Sequence, residues 1–163
     1  MPDGFFDLPL HEDCFGCGHP GEERLEPHFR WDNETRRVLG RVRFGKNTQG
    51  PPGHAHGGSL STVLDECMGA AAWISGHPVV CVSLTVNFRN LVPLGSELEM
   101  EASVERVDGR KVYASGRLTH PDGQVMAEAS GLFLEIPTEM IDNKIPGSQD
   151  DITRFLAWKA LGA

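Results

Sequence analysis

Gly53-His54-Ala55-His56-Gly57-Gly58-Ser59-Leu60-Ser61-Thr62-Val63-Leu64-Asp65-Glu66-Cys67-Met68-Gly69-Ala70-Ala71-Ala72-Trp73-Ile74 is the stretch that decides the fold. Leu60, Val63, Leu64, Cys67, Ala71 and Ile74 recur at the spacing of one face of a helix of about 3.6 residues per turn, and that face wants a core. Asp65 points elsewhere, sharing its side with Gly58, Ser61, Thr62, Gly69 and Ala72. These neighbours are small, so a bulky group can approach the carboxylate. Between Gly57 and Ile74 the only charged side chains are Asp65 and Glu66. A surface helix normally carries a Lys/Glu-rich face; this one reads as buried on most sides, where a carboxylate either finds partners or resists ionisation.

The rest of the chain reads as strands able to wrap that helix. Before it, a short strand near His28 to Trp31 and an Asp32-Asn33 turn lead into Val38, Gly40, Val42 and Phe44, alternating with arginines. Residues 45 to 55, with three glycines and two prolines, form an irregular loop that delivers the chain to the helix. After it, Gly76 and Pro78 supply a stop. Val80, Val82, Leu84, Val86 and Phe88 then alternate with Cys81, Ser83, Thr85 and Asn87, a polar face without charge until Arg89. Such a face suits a semi-buried cleft or plain solvent. Leu98 to Val104, Val112 to Leu118 and Val125 to Glu135 continue the alternation, with a hairpin signal at Asp108-Gly109. The reading is therefore α+β, with residues 1–24 an extension, 25–136 the folded domain and 137–163 a tail carrying a short helix begun at Asp150.

Composition bounds the function. A chain of 163 residues makes one domain with a real core. A formal net charge of −8 argues against nucleic acid or an anionic membrane as main partner. The opening Met1-Pro2-Asp3-Gly4 has no basic signal-peptide region, and no apolar run reaches membrane-span length, so a soluble cytoplasmic protein is expected. Cys14, Cys17, Cys67 and Cys81 look like reduced thiols. His11, Cys14, Cys17 and His19 make an incomplete, crowded ligand set for zinc. The segment reads instead as a Gly-rich turn with small buried thiols beside Phe15, and no metal or other cofactor is expected.

The order of hairpin, glycine loop, long buried helix and four antiparallel strands resembles the hotdog fold, a curved sheet around one central helix. Within it, His56-Gly57-Gly58 with Asp65 seven positions on, Asn87-Phe88 followed by Pro93, and Cys14-Phe15-Gly16-Cys17-Gly18 resemble the PaaI-like acyl-CoA thioesterase family across residues 14 to 136. The resemblance implies hydrolysis of an acyl-CoA or acyl-carrier thioester, with Asp65 as general base or nucleophile and the amide of Gly57 polarising the carbonyl. Helix-start amides at Gly57 and Gly58, unshielded by side chains, suit developing negative charge. His56 orients the substrate or holds the loop. Many relatives carry an Asn six residues before that histidine; here the position is Gly50, with Asn47 and Gln49 as possible substitutes. Relatives also place a Thr or Ser near the Asp, for which Cys81 and Ser83, expected on one strand face, are the candidates, Ser83 preferred for its hydroxyl. Substrate contacts fall to Gly58, Cys81, Asn87 and Arg89, the last facing a coenzyme A phosphate.

The family implies a homodimer or homotetramer with the site between copies, and the strand ending at Phe88 is expected as an edge liable to pair. Two rival readings stand beside hydrolysis. One is a non-hydrolytic acyl-CoA or acyl-carrier binding module with a structural Asp65. The other is a hydroxyacyl thioester dehydratase, which would pair His54 or His56 with Asp65.

Overall fold

The computed structural model describes residues 5–8, 14–18, 23–137 and 140. Among the described residues one α-helix, α1 (Gly57–Ile74), packs against a seven-stranded sheet of β1 (Phe5–Asp7), β2 (Leu25–Asp32), β3 (Arg37–Phe44), β4 (Val79–Phe88), β5 (Glu97–Asp108), β6 (Lys111–Thr119) and β7 (Val125–Glu135). Every pairing is antiparallel, in the spatial order β1-β2-β3-β5-β6-β7-β4. The helix touches β2 through β7, so the sheet surrounds it as the hotdog resemblance implies. No helix among the described residues is long and apolar enough to cross a membrane.

The expected stripe is the buried one. Leu60, Val63, Leu64, Cys67, Ala71 and Ile74 are all within the core, joined by Met68 and Ala72. They meet the inner face of the sheet, including Val38, Val42, Phe44, Leu98, Val112, Leu118 and Phe133. Gly116 lies where the helix comes closest: a Cβ there would sit 3.1 Å from Met68 Cγ and 3.4 Å from Leu64 Cδ2. The helix stops where expected. Gly76 adopts φ 94°, its N–H donates to Trp73 O (2.9 Å), and the His77 N–H donates to Ala72 O (3.0 Å), the paired bonds of a Schellman motif.

The outer face carries the charges. Arg37 donates to Glu101 (3.1 Å), Arg41 to Glu97 (3.4 Å), and Arg117 also contacts Glu101. Arg117 first and then Arg37 hold the Glu101 carboxyl below the usual range, against the opposing effect of burial. Gly109, at φ 57°, turns β5 into β6.

Three expectations change. The segment before residue 24 contributes β1, whose Phe5 to Asp7 pair with Asp32 to Arg30 and extend the sheet. Phe15 does not cover the thiols, being 90% exposed. The alternation of β4 breaks at a bulge between Cys81 and Ser83. The expected helix begun at Asp150 lies outside the described residues.

Candidate active site

The loop before α1 is folded so as to fix His56. The His56 N–H donates to Thr48 O (2.7 Å), Ala55 N–H to Val92 O (2.8 Å), and Gly50 N–H to His54 O (2.9 Å). His56 is the extended N-cap of α1, and its Nδ1 accepts from the Gly58 N–H at 2.8 Å. That bond leaves the neutral ring's proton on Nε2. It also corrects one expectation: the Gly58 amide is already satisfied by the cap. Among the described residues the Gly57 N–H meets no acceptor, so Gly57 is the remaining donor of the pair.

Gly50 explains itself in this geometry. A Cβ there would lie 2.8 Å from His56 Cα and 3.1 Å from its Cβ, so the position is pressed against the histidine backbone and has no room for an asparagine. Neither suggested substitute replaces it clearly. Gln49 turns its side-chain oxygen to the Gly53 N–H (3.0 Å), and Asn47 is exposed, its N–H donating to Glu23 O (2.7 Å).

Above Gly57 lies Phe88, which the sequence marked only as part of a motif. A Cβ on Gly57 would come within 3.2 Å of Phe88 Cζ, so the ring lines the approach to the amide. Two turns along, Asp65 is half-buried, and its Oδ1 is fully buried with no hydrogen-bond partner among the described residues. A buried carboxylate oxygen left unmatched is costly in a folded protein and is expected where a ligand completes it. Cys81 is beside it. Burial first, then the charge of Asp65, push that thiol up to about 11, so it stays protonated near neutral pH and is no nucleophile.

The bulge decides the fate of the strand residues. Cys81 pairs with Phe133 and Leu84 with Gly131, both on the helix side, whereas Ser83 pairs with Leu132 and is exposed. Cys81 and Ser83 therefore lie on opposite faces, because Val82 is the extra residue between them. Ser83, preferred from the sequence, points away from Asp65. Asn87 pairs with Glu128 on the same outer face. Arg89 donates through Nε to Glu128 (3.0 Å), so its charge is already partnered. The structure thus gathers Asp65 with Cys81, and His56 with Gly57 and Gly58, and leaves Ser83, Asn87 and Arg89 on the far side of the strand.

A second cluster escaped the sequence. The turn of Cys14 to Gly18 lies on α1: a Cβ on Gly16 would be 2.7 Å from Glu66 Cγ and 3.0 Å from Thr62 Cγ2. Cys14 Sγ and Glu66 Oε1 share a hydrogen bond at 3.4 Å. Cys17 and the backbone amides of Cys17 and Gly16, hydrogen-bonded to the Cys14 sulfur, hold that thiol down at about 5 despite its burial. Burial pushes the Glu66 carboxyl up to about 8, the adjacent Cys14 adding to it. Glu66 was legible only as the second charge on the helix; its partners come from 52 residues earlier in the chain.

Residues 52–127 match the family model described as the thioesterase superfamily. The acyl-coenzyme A thioesterase THEM4 of Xenopus laevis is 34% identical over 107 residues, covering 65% of this chain and 48% of its own length. PA0474 of Pseudomonas aeruginosa, a candidate esterase, is 33% identical over 136 residues, 82% of this chain and 96% of its own. The chain spans about half the length or less of the animal acyl-CoA thioesterases that it matches. Among solved structures, a thioesterase superfamily protein superposes with a TM-score of 0.64 at 31% identity, over 68% of this chain and 54% of that one. A Streptococcus pneumoniae thioesterase crystallised with coenzyme A superposes with a TM-score of 0.59 at 18% identity, over 61% and 78% of the two chains. The fold, the helix-start glycines and these likenesses agree: the chain belongs to the thioesterase superfamily.

Proposed function

We propose that this protein hydrolyses an acyl-CoA thioester in a site shared by two copies of the chain. The observation that carries the reading is the unpartnered, buried Oδ1 of Asp65 on a face of small residues. The names of the animal relatives and the coenzyme A bound by the streptococcal neighbour support the substrate class. Acyl-carrier thioesters present the same reacting group.

Gly57 and Asp65 are eight residues apart on one helix, about 12 Å at roughly 1.5 Å per residue. A thioester carbonyl and its attacking water span only a few ångströms, so the amide and carboxylate of one copy cannot act on the same carbon. Asp65 of one copy facing Gly57 of another removes the difficulty. The means of association is at hand: β4 ends the sheet, and Val80, Val82, Phe88 and Leu91 along and just beyond it are exposed apolar side chains.

In this reading the acyl oxygen accepts from the Gly57 N–H under the Phe88 ring. Asp65 takes a proton from water as the hydroxide adds to the carbonyl carbon. The tetrahedral oxyanion is held by the Gly57 amide at the positive end of the helix. The C–S bond then breaks, the sulfur leaves with the electron pair, and the proton on Asp65 passes to it, giving carboxylic acid and coenzyme A thiol. Direct attack by the Asp65 carboxylate, with water hydrolysing the resulting anhydride, uses the same contacts.

The test is thiol release from a panel of acyl-CoA substrates by the parent and by Asp65→Asn, which keeps the volume but can neither take a proton nor attack. The expected result is a fall in kcat of about a hundredfold or more with KM little changed, and a thermal midpoint no lower than the parent's. Near-parental turnover by Asp65→Asn, or loss of activity only through unfolding, would sink the assignment. No thiol release from any substrate despite tight binding would favour a non-hydrolytic binding protein.

A further inference from the structure

The Cys14, Cys17 and Glu66 cluster plays no part in the proposed hydrolysis and does not depend on it. We propose that Cys14, Cys17 and Glu66 form a binding site for a thiophilic divalent cation, zinc being the ion that the donor set fits. The three ligating atoms lie within 4.8 Å of one another, with Cys14 Sγ 3.4 Å from Glu66 Oε1. Ligands on one tetrahedral zinc, at about 2.3 Å for sulfur and about 2.1 Å for oxygen, stand about 3.6–3.8 Å apart. The cluster is already close to that size without an ion.

The turn is closed on itself: the Gly18 N–H donates to Cys14 O at 2.9 Å, which keeps the backbone amides of Gly16 and Cys17 beside the Cys14 sulfur. Such amides stabilise negative charge on sulfur and hold both thiols on one side. Gly16 is needed for the fit, because any side chain there would collide with Glu66. Opposite them stands a half-buried carboxyl that pairs with no cation among the described residues. Two thiols and a carboxyl converging on one point is an arrangement that a doubly charged ion stabilises. The sequence alone rejects zinc because the turn supplies too few usable ligands; the helix supplies another. Three protein donors leave the fourth tetrahedral position to water, and the ion pins the amino-terminal turn to the middle of α1, one residue from Asp65.

The full chain, reduced and freed of metal by a chelator, is titrated with Co²⁺ and then Zn²⁺. The expected result is one Co²⁺ per chain with a thiolate-to-cobalt charge-transfer band, which Zn²⁺ abolishes, and protection of two of the four thiols from a disulfide reagent when zinc is bound. Cys14→Ser and Cys17→Ser should lose the band, Cys81→Ser should keep it, and Glu66→Gln should weaken zinc by at least about tenfold. Zinc should also raise the parent's thermal midpoint and leave that of Cys14→Ser unmoved. Failure of the parent to develop the band at stoichiometric Co²⁺ overturns the proposal whatever the variants do. So does a band surviving in Cys14→Ser, unweakened zinc binding by Glu66→Gln, or formation of a Cys14–Cys17 disulfide in air as readily with zinc as without it.

Discussion

Replacing Gly57 by alanine separates what the helix start does for stability from what it does for chemistry. The position is the first residue of α1, so its backbone is helical and alanine is the better helix former by about 0.5–1 kcal/mol. Against this, the new methyl would sit 3.2 Å from Phe88 Cζ, a few tenths of an ångström inside ordinary contact. The ring can give way, since Phe88 is 54% exposed and at the end of an edge strand. The two effects nearly cancel, and the thermal midpoint should stay within about 2 °C of the parent's. Catalysis should not survive so well. An oxyanion donor works at about 2.7–3.1 Å, and a methyl beside the amide, with the displaced ring, pushes the acyl oxygen outward by about 1 Å. A displacement of that size, or loss of the donor outright, lowers kcat/KM by about a hundredfold. Thiol release under subsaturating acyl-CoA, with a parallel melting curve, reads both quantities. Adding Phe88→Ala should restore part of the rate by making room for the methyl. If Gly57→Ala turns over within about threefold of the parent, the Gly57 amide is not the polarising group.

Three further outcomes follow from the geometry. His56→Ala removes the cap on the Gly58 N–H and should cost about 1 kcal/mol, seen as a melting point lower by about 2–4 °C, whereas His56→Asn keeps a capping oxygen and most of that stability. Ser83→Ala should hydrolyse at the parental rate, because the hydroxyl is on the outer face; a large loss of kcat would show that the bulge does not turn it away from Asp65. Val82→Lys places a charge on the exposed edge strand and should shift sedimentation toward monomer with a matching loss of specific activity on dilution, while a monomeric yet fully active Val82→Lys would refute the shared site.

The elements that were legible in the sequence are those in which every residue obeys one period. The buried stripe of α1 and the alternation of Leu98 to Val104 and Val112 to Leu118 carry their own burial, and Gly76 and Gly109 mark their stops by needing positive φ. Strand β4 was legible only in part. A bulge inserts one residue, reverses the faces beyond it, and leaves no trace in a run that alternates polar and apolar on both sides of Val82. Hence Cys81 lies beside Asp65, whereas Ser83, which strict alternation puts on the same face, is turned outward. The candidate site's other surprises are long-range: Phe88 reaches Gly57 across 31 residues, and Glu66 meets a turn 52 residues away. No local pattern encodes such meetings. Strand β1 is three residues long and gains its place by pairing with β2, which its own composition does not announce.

The strand order has a consequence for how the chain is made. β4 follows α1 directly but, among the described residues, pairs only with β7, so during synthesis it waits until β5 and β6 have also been produced. Until then the apolar stripe of α1 lies beneath an unfinished sheet, and the cost of loop closure comes before the last pairing offsets it. Closure of β4 onto β7 is therefore expected to be a late event, and any association through β4 later still. A ribosome stalled before Val125 would display α1 and an unpaired β4 together, the part of this molecule in greatest need of a chaperone.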